Sequence, residues 1–333
     1  MAMRPGATAP YDTTSYSVSQ GTGAGTSNFI PEIFSKKMLK DFYLSTVFSE
    51  ITNTDYEGEI KAQGDKVHIR RVPTISIGDY VVGGPAGGIT YEVPAEDATD
   101  MVIDQAKYWA FRMDYIDESQ TDLPLISEFS SNAAEQLKIA VDTDMLAYIT
   151  TAANVHADNQ GLTAGADSGA INLGADVNGS GRLVNSTDND ADNILSAIVE
   201  MNQCLDENNI PSEGRWVVLP AAICALLKKG DLRRADITGD TSGVIRTGLI
   251  GMVDRTKIYM SNNLPKGAAE TEAWLVPFGT NEATSFAAQI TKTESLPIIE
   301  SFGTYWRGLF VYGRKVLQEK ALGLAVLKVA NVA

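Results

Sequence analysis

Cysteine and histidine are scarce in this sequence: only two of each occur among its 333 residues. With Cys204 and Cys224 alone, the chain cannot build the disulfide framework that holds a small secreted scaffold together. The two histidines, His68 and His156, are too far apart for an HExxH motif, and no contiguous zinc motif of Cys and His occurs. Both cysteines lie in apolar patterns typical of helices, so we expect them to be small core residues.

Basic residues are also in short supply, because 27 Lys and Arg face 42 Asp and Glu and give a formal net charge of −15. A general nucleic-acid-binding protein needs a basic surface to neutralise phosphates, so this composition excludes that class for the chain as a whole. The composition is still compatible with one local basic face. The hydrophobic fraction of 44% is ordinary for a globular chain and can form a sizeable core.

Long hydrophobic runs are missing as well. The longest apolar stretch, 216–227, contains Pro220 and is shorter than the roughly 20 residues that cross a bilayer. The first 28 residues have no apolar segment of the kind that a secretion signal needs. We therefore expect a soluble protein without membrane contact, made and kept in a reducing cytoplasm.

Motifs of nucleotide-binding and hydrolytic enzymes are absent from the sequence. There is no GxxxxGK[ST] phosphate loop and no GxSxG elbow, and the glycines of 21–25 lack the spacing of a dinucleotide fingerprint. The acidic run 188–192 opens like a calcium loop but has Asn193 and Val199 where such a loop needs glycine and glutamate. Capping of the following helix explains this run better. The sequence thus predicts no enzyme, no cofactor and no metal site.

The first third of the chain alternates between low-complexity and strand-like segments. Residues 1–28 contain few aliphatic side chains and predict a flexible N-terminal arm, and helical spacing of apolar residues begins within 29–60. A strand is predicted over 66–72, where Val67 and Ile69 alternate with His68 and Arg70, and a second strand over about 101–113. Residues 61–113 therefore predict one long β-hairpin.

Charge is segregated along this predicted hairpin. The outgoing leg is basic, whereas the tip and the return leg are acidic; a projecting hairpin with so little core of its own is marginal in water. A partner that covers it would explain the pattern, so we interpret these charges as subunit contacts. The candidates are Lys61, Lys66, Arg70, Arg71, Asp79, Glu92, Glu96 and Asp97.

The rest of the chain predicts a mixed α and β structure. An amphipathic helix is expected from about 124 to 153, followed by a Gly- and Asp-rich stretch over 156–189 that we interpret as a surface loop or small β excursion. Further helices are expected at 192–208 and 221–229, and strands at 215–219, 257–261, 273–277, 286–291, 302–317 and 321–329. A second basic cluster consists of Lys228, Lys229, Arg233, Arg234 and Arg246.

Several strings occur in an order that resembles one known family. They are RWVVLP at 215–220, GLIGMV at 248–253, IYMSNNLP at 258–265 and FGTYWRGLFVYG at 302–313. In this order they resemble the major capsid (coat) proteins of tailed bacteriophages of the Hong-Kong-97 type, and the resemblance spans about residues 29–328.

The resemblance implies an α+β fold of named parts. These are an N-terminal arm (1–28), a first helix and entry to the peripheral domain (29–60), an extended hairpin called the E-loop (61–113) and a peripheral domain with a long spine helix (114–155). An insertion (156–189), an axial domain (190–300) and C-terminal return strands of the peripheral domain (301–333) would follow. The second basic cluster would lie near the capsomer axis.

The resemblance also implies a function without an active site. The subunits would assemble through pentamers and hexamers into an icosahedral head shell in the host bacterial cytoplasm, and would enclose double-stranded DNA without sequence-specific binding. The expected partners are other copies of the chain, a separate scaffolding protein, a portal protein and an optional decoration protein. The expected location is the capsid of the virion.

Three alternatives stay open at the level of sequence. An encapsulin-like nanocompartment shell would share the fold but would carry a cargo-binding groove. An acidic surface-layer or glycan-binding protein would show calcium-dependent folding. An enzyme with a scattered site would lose turnover on substitution of His68 or His156.

Overall fold

The computed structural model describes residues 46–55, 66–80, 82, 91–94, 97–116, 125–174, 181–185, 193–229, 251–267, 272–299 and 301–329. Its helices are α1 (Phe48–Ile51), α2 (Leu125–Ile149), α3 (Ile194–Glu207) and α4 (Ala221–Lys229). Its strands are β1 (Lys66–Arg71), β2 (Asp97–Val102), β3 (Gln105–Asp114), β4 (Arg182–Val184), β5 (Arg215–Leu219), β6 (Met252–Val253), β7 (Thr256–Met260), β8 (Ala273–Thr280), β9 (Thr284–Pro297), β10 (Gly303–Val316) and β11 (Leu322–Val329). The predicted arm over 1–28 lies outside the described residues.

A six-stranded mixed sheet, in the order β4-β11-β8-β5-β7-β6, carries most of the core. All five residues of β5 are buried because side chains cover both faces of this sheet. Val217 and Leu219 pack with α3 and α4 on one face, whereas Trp216 and Val218 pack with the end of α2 on the other. This alternation is the two-residue period of a strand between two apolar layers.

A three-stranded antiparallel sheet, in the order β3-β10-β9, forms the second main element. Its strands are long, and the pairing of β10 with β9 shifts register between Val311 and Tyr312. At that point Tyr312 is fully buried and donates a hydrogen bond to Asp144 of α2 at 2.7 Å. Arg314 also binds the Asp144 carboxylate and lies over the ring of Tyr148 at 4.6 Å, so this helix and this sheet are joined by a polar network.

The third sheet is the antiparallel pair β1–β2, with Lys66 opposite Val102 and Arg71 opposite Asp97. Its inner face is a small core of Val67, Ile69 and Met101 with Ile103 and Ala287. The prediction of one return strand over 101–113 was wrong, since the chain leaves β2 at Ile103 and joins the three-stranded sheet as β3. The two parts have different partners, since β2 pairs with β1 whereas β3 pairs with β10, and β10 passes so close that a Cβ on Gly313 would lie 2.7 Å from the carbonyl oxygen of Val102.

The long helix α2 is packed unevenly along its length. At 1.5 Å per residue its 25 residues span about 37 Å. Its C-terminal part buries Val141, Met145, Leu146 and Ile149, whereas no described residue from Ile126 to Ala140 is buried. The predicted spine helix therefore exists, but only its last third is held in the core of this chain.

The Gly- and Asp-rich stretch is more than a surface loop. Ile171 and Leu173 are buried in the core with α3, and β4 pairs in parallel with β11 at one edge of the six-stranded sheet. Arg182, itself buried, forms an ion pair with Glu200 of α3. Core contacts thus hold the described parts of a segment that composition alone presents as exposed.

The sheets also cross the sequence boundary placed at residue 300. β9, from the expected axial domain, pairs with β10, while β11, from the expected peripheral return, pairs with β8. Strand pairing joins residues that are distant in the chain, and no local composition marks where the chain changes sheets.

Candidate subunit-contact surfaces

The base of the hairpin carries its basic residues on the outer face. Lys66, His68 and Arg70 are exposed on β1, while the residues between them point to the small core. His68 lies opposite Asp100, and its Nδ1 is 2.6 Å from the Asp100 carboxylate. The pair is solvent-exposed, so it contributes about 0–1 kcal/mol to stability. His68 and Asp100 therefore contact each other within one chain.

Beyond these two strands the chain continues as two extended legs, which we call the hairpin legs (described residues 72–80, 82 and 91–94). The backbone N–H and the hydroxyl of Ser76 donate to one oxygen of Glu92, at 3.0 and 2.6 Å. The side-chain and backbone hydrogen bonds from Ser76 lower the pKa of Glu92. This contact holds the two legs side by side where no strand pairing occurs among the described residues.

The hairpin legs expose an unusual number of large apolar side chains. Val72, Ile77 and Val82 are 94%, 99% and 97% exposed on the outgoing leg. The other exposed members are Ile75, Tyr80, Tyr91 and Val93. Exposed apolar side chains in this number favour an interaction site in a soluble protein, because apolar surface left in water is unfavourable.

A second apolar surface surrounds the turn between β9 and β10, and we call it the turn patch. Ile299 is 99% and Phe302 82% exposed, and Tyr115 and Ile116 at the end of β3 are also exposed. Tyr115 donates its backbone N–H to the carbonyl oxygen of Phe302 at 3.2 Å, which places the end of β3 beside the turn. Sequence reasoning missed it, although the apolar run at 296–299 between two predicted strands was a usable signal.

The sequence-predicted charged candidates are only partly described. Lys61, Glu96, Arg233, Arg234 and Arg246 lie outside the described residues. Asp79 is exposed on the outgoing leg, and Asp97 occupies the position opposite Arg71 in β2. Lys228 and Lys229 form the last turn of α4, where cations interact favourably with the helix dipole.

The thiols of Cys204 and Cys224 are unsuited to act as nucleophiles or metal ligands. Both cysteines are buried and unpaired. Burial raises the pKa of Cys204 to about 12 and that of Cys224 to about 11, so neither supplies a thiolate at neutral pH. Within the described part of the chain there is no cluster of metal-ligating side chains, and no helix there is long and apolar enough to span a membrane.

Comparisons with known proteins identify the family. Residues 98–327, more than half of the chain, match the family model described as phage capsid protein. The chain belongs to the phage capsid protein family. This membership confirms the resemblance seen in the sequence, and the capsid protein is a structural component of the virion shell that associates with copies of itself. No curated protein matches it.

Solved structures show the same fold. A chain from Mycobacterium phage Che8 is 27% identical with a TM-score of 0.70, over 90% of the capsid protein and 98% of that chain. The capsid of cyanophage P-SCSP1u is 17% identical with a TM-score of 0.65, over 96% and 98% of the two chains. The mature capsid of bacteriophage PhiM1 is 17% identical with a TM-score of 0.64, over 98% and 100%. The Hong-Kong-97-type α+β fold is thus confirmed, and the family favours a phage coat protein over a nanocompartment shell or a surface-layer protein.

Proposed function

We propose that the capsid protein assembles through pentamers and hexamers into an icosahedral head shell that encloses phage double-stranded DNA. It acts by contacts between copies and performs no catalysis. The observation that carries this proposal is the uncovered apolar surface of the hairpin legs. These legs have no core of their own, and a neighbouring subunit would supply one.

Burial of these apolar side chains would favour assembly. Complete burial of one aliphatic side chain of the size of Ile77 or Val82 contributes about 1.5–3 kcal/mol. Two or three such residues per hairpin give a moderate contact between two subunits. Many copies of a moderate contact in a closed shell hold together far more tightly than one pair does.

Charge is consistent with an enclosed DNA that the shell does not bind tightly. Each copy carries a net charge of −15, so the summed interaction with phosphates is repulsive or weak. DNA would then be packed without sequence-specific contacts. By the resemblance to tailed-phage coat proteins, we further propose a separate scaffolding protein, a portal protein and an optional decoration protein as partners, with assembly in the host cytoplasm.

The positions of the charged candidates stay proposals of the same kind. We propose that Lys66, Arg70 and Arg71 at the hairpin base bind a neighbouring subunit together with the hairpin legs. The basic cluster that begins at Lys228 and Lys229 would lie near the capsomer axis, where several copies meet. Since like charges repel across a symmetric axis, an anion or an acidic segment would accompany it there.

The test replaces apolar residues of the outgoing leg and measures assembly. Ile77→Ser combined with Val82→Ser should leave a folded subunit, because both side chains are exposed, but should abolish shells in light scattering and negative-stain images. Arg70→Glu combined with Arg71→Glu should act in the same way through charge. Leu162→Ser is the matched control, since Leu162 is 58% exposed outside the hairpin and should assemble normally. Normal shells from the double serine variant would contradict the proposed role of the hairpin.

A further inference from the structure

An open cleft of about 620 Å³ lies between the base of the hairpin and the connection from β10 to β11. The hairpin contributes Arg71 and Thr99 to its lining, the end of β10 contributes Lys315, and the connection contributes Lys320. His156, just after α2, completes the polar lining together with the residues of the connection. Three segments far apart in sequence therefore place their basic side chains around one cavity.

The arginine and lysine side chains of this cleft form no ion pair within the part of the chain that the structure describes. None of Arg71, Lys315 and Lys320 forms an ion pair there, although other exposed lysines do, such as Lys292 with Glu294. His156 lies beside Asp158, with Nδ1 3.1 Å from its carboxylate. One carboxylate, that of Glu319, belongs to the lining. A concentration of uncompensated positive charge is unexpected in a chain of net charge −15 and points to an anionic ligand.

The walls of the cleft favour a peptide over a nucleic acid. Apolar side chains of Ile210, Val316 and Leu317 line it beside the cations. A peptide can place aliphatic groups on these walls and carboxylates on the lysines, whereas a DNA backbone offers phosphates without apolar groups. The carboxylate of Glu319 would repel a phosphate chain, while a peptide can turn an amide or hydroxyl toward it.

We propose that this cleft binds a carboxylate-bearing segment of another copy of the chain. The proposal rests on the proposed self-assembly, because a second copy is the acidic protein that meets this surface at the highest local concentration in a shell. Lys315 and Lys320 pair with the carboxylates of the neighbour, and Arg71 positions them from the hairpin side. The contact thus connects the hairpin base of one subunit to an acidic surface of the next.

Zero-length cross-linking tests this contact directly. Shells are assembled from an equal mixture of chains labelled with nitrogen-14 and nitrogen-15, treated with a carbodiimide that joins lysine amines to nearby carboxylates, and digested for mass spectrometry. The expected result is Lys315 or Lys320 joined to an Asp or Glu peptide of the other label. Links within one label alone, or no links at these lysines while other lysines react, would overturn the proposal.

A charge-reversed variant adds a quantitative readout. Lys320→Glu should reduce the yield of interchain links at Lys315 about tenfold, because the introduced carboxylate repels the carboxylates of the neighbouring segment. Lys257→Glu, an exposed lysine on β7 with no part in the cleft, makes the same charge change and should leave the yield unchanged. Equal yields in both variants would contradict the assignment of the cleft.

Two further measurements distinguish this contact from DNA binding and from a failure of assembly. If acetylation of Lys315 and Lys320 rises only after nuclease removes the DNA from filled shells, the ligand is DNA and the proposal is wrong. If wild-type chains build shells but show no interchain link at these lysines, the cleft is not a contact while self-assembly stands. If no shells form under any condition, the proposed function itself fails.

Discussion

Replacing Asp142 with alanine should strongly destabilise the folded capsid protein. Asp142 lies on α2 and is completely buried. Its Oδ1 accepts the backbone N–H groups of Val47 and Phe48 at 2.8 and 2.9 Å, and its Oδ2 accepts the side-chain amide of Asn263 at 2.6 Å. One side chain thus ties the start of α1, the long helix and the segment after β7 together.

The size of the stability loss follows from the hydrogen-bond donors that lose their acceptor in the variant. Asp142→Ala leaves three donors without this acceptor, in a site that excludes water. Each unsatisfied buried donor costs about 1–3 kcal/mol, and partial relaxation reduces the sum, so we expect a loss of about 3–5 kcal/mol. A typical domain has about 5–15 kcal/mol of stability in total, so the variant should be close to unfolding.

The assay is urea unfolding of dispersed subunits, followed by tryptophan fluorescence; of the four tryptophans, buried Trp216 lies in the core beside α2. Asp142→Asn alone should destabilise less than Asp142→Ala, because its amide oxygen can still accept the backbone N–H groups of Val47 and Phe48 while the acceptor used by the Asn263 amide is lost. Combining Asp142→Asn with Asn263→Asp exchanges the two groups and should recover most of the loss. If Asp142→Ala unfolds within about 0.5 kcal/mol of wild type, or the exchange recovers nothing, the hydrogen-bond reasoning is refuted.

Two other predictions concern the segment 156–174. Gly174→Ala should cost about 1–3 kcal/mol, because Gly174 has φ of +98° and an added Cβ would lie 2.3 Å from the carbonyl oxygen of Val326. Gly161→Ala is its control, since Gly161 has φ of +87° with open space around it, so equal losses in urea unfolding would show that contact with β11 is unimportant. Glu207 gives a pH dependence: desolvation opposes its ionisation, but backbone hydrogen bonds from Ser168 and Asp167 and side-chain bonds from Gln203 and Ser168 lower the pKa of Glu207 to about 2. Because this folded pKa lies below the ordinary value, its contribution to stability is present above about pH 4.5 and is lost as the pH falls toward 2. In the Glu207→Gln variant the free energy of unfolding should therefore change less with pH between about 4.5 and 2. The same pH dependence in the variant and the wild type would contradict the role of this carboxylate.

Local sequence pattern was enough to predict most individual elements. The strand β5 was predicted with the bounds it has, and α3 and α4 to within two residues, because each has a strong period and a clear start or stop. Asn193 caps α3 through a hydrogen bond from the backbone N–H of Leu195, directly after the acidic run that the sequence presented as the cap. The burial of both cysteines followed from their apolar neighbours.

Local pattern failed where partners decide the structure. The split of the return leg at Ile103 depends on β10 passing close to Val102, and no residue at the break signals it. The Gly- and Asp-rich segment was interpreted as a surface loop or small β excursion; it does contain the short strand β4, but its composition did not show that Ile171 and Leu173 reach the core. A few apolar residues within a polar stretch are sufficient when the fold places a complementary surface beside them.

For the charged candidates, too, the sequence showed one part of the arrangement and not the other. The separation of sign along the hairpin was visible in the sequence, because it needs only the order of residues. Sequence did not show that His68 and Asp100 satisfy each other within the chain, nor that Arg71 joins Lys315 and Lys320 around one cleft. The turn patch at Ile299 and Phe302 was overlooked because exposure is a property of neighbours in space.

The sequence by itself determined the class of protein: an acidic, cysteine-poor α+β chain whose ordered strings identify a phage capsid protein. Composition and periodicity are local properties, so they can be determined from the sequence without knowing which residues are in contact. Only the tertiary structure decided which strands share a sheet, which part of α2 is held in the core and which apolar residues stay uncovered. Those outcomes depend on pairing between segments that are distant in the sequence. The free energy of that pairing comes from packing and desolvation in the folded chain, which no local sequence pattern shows.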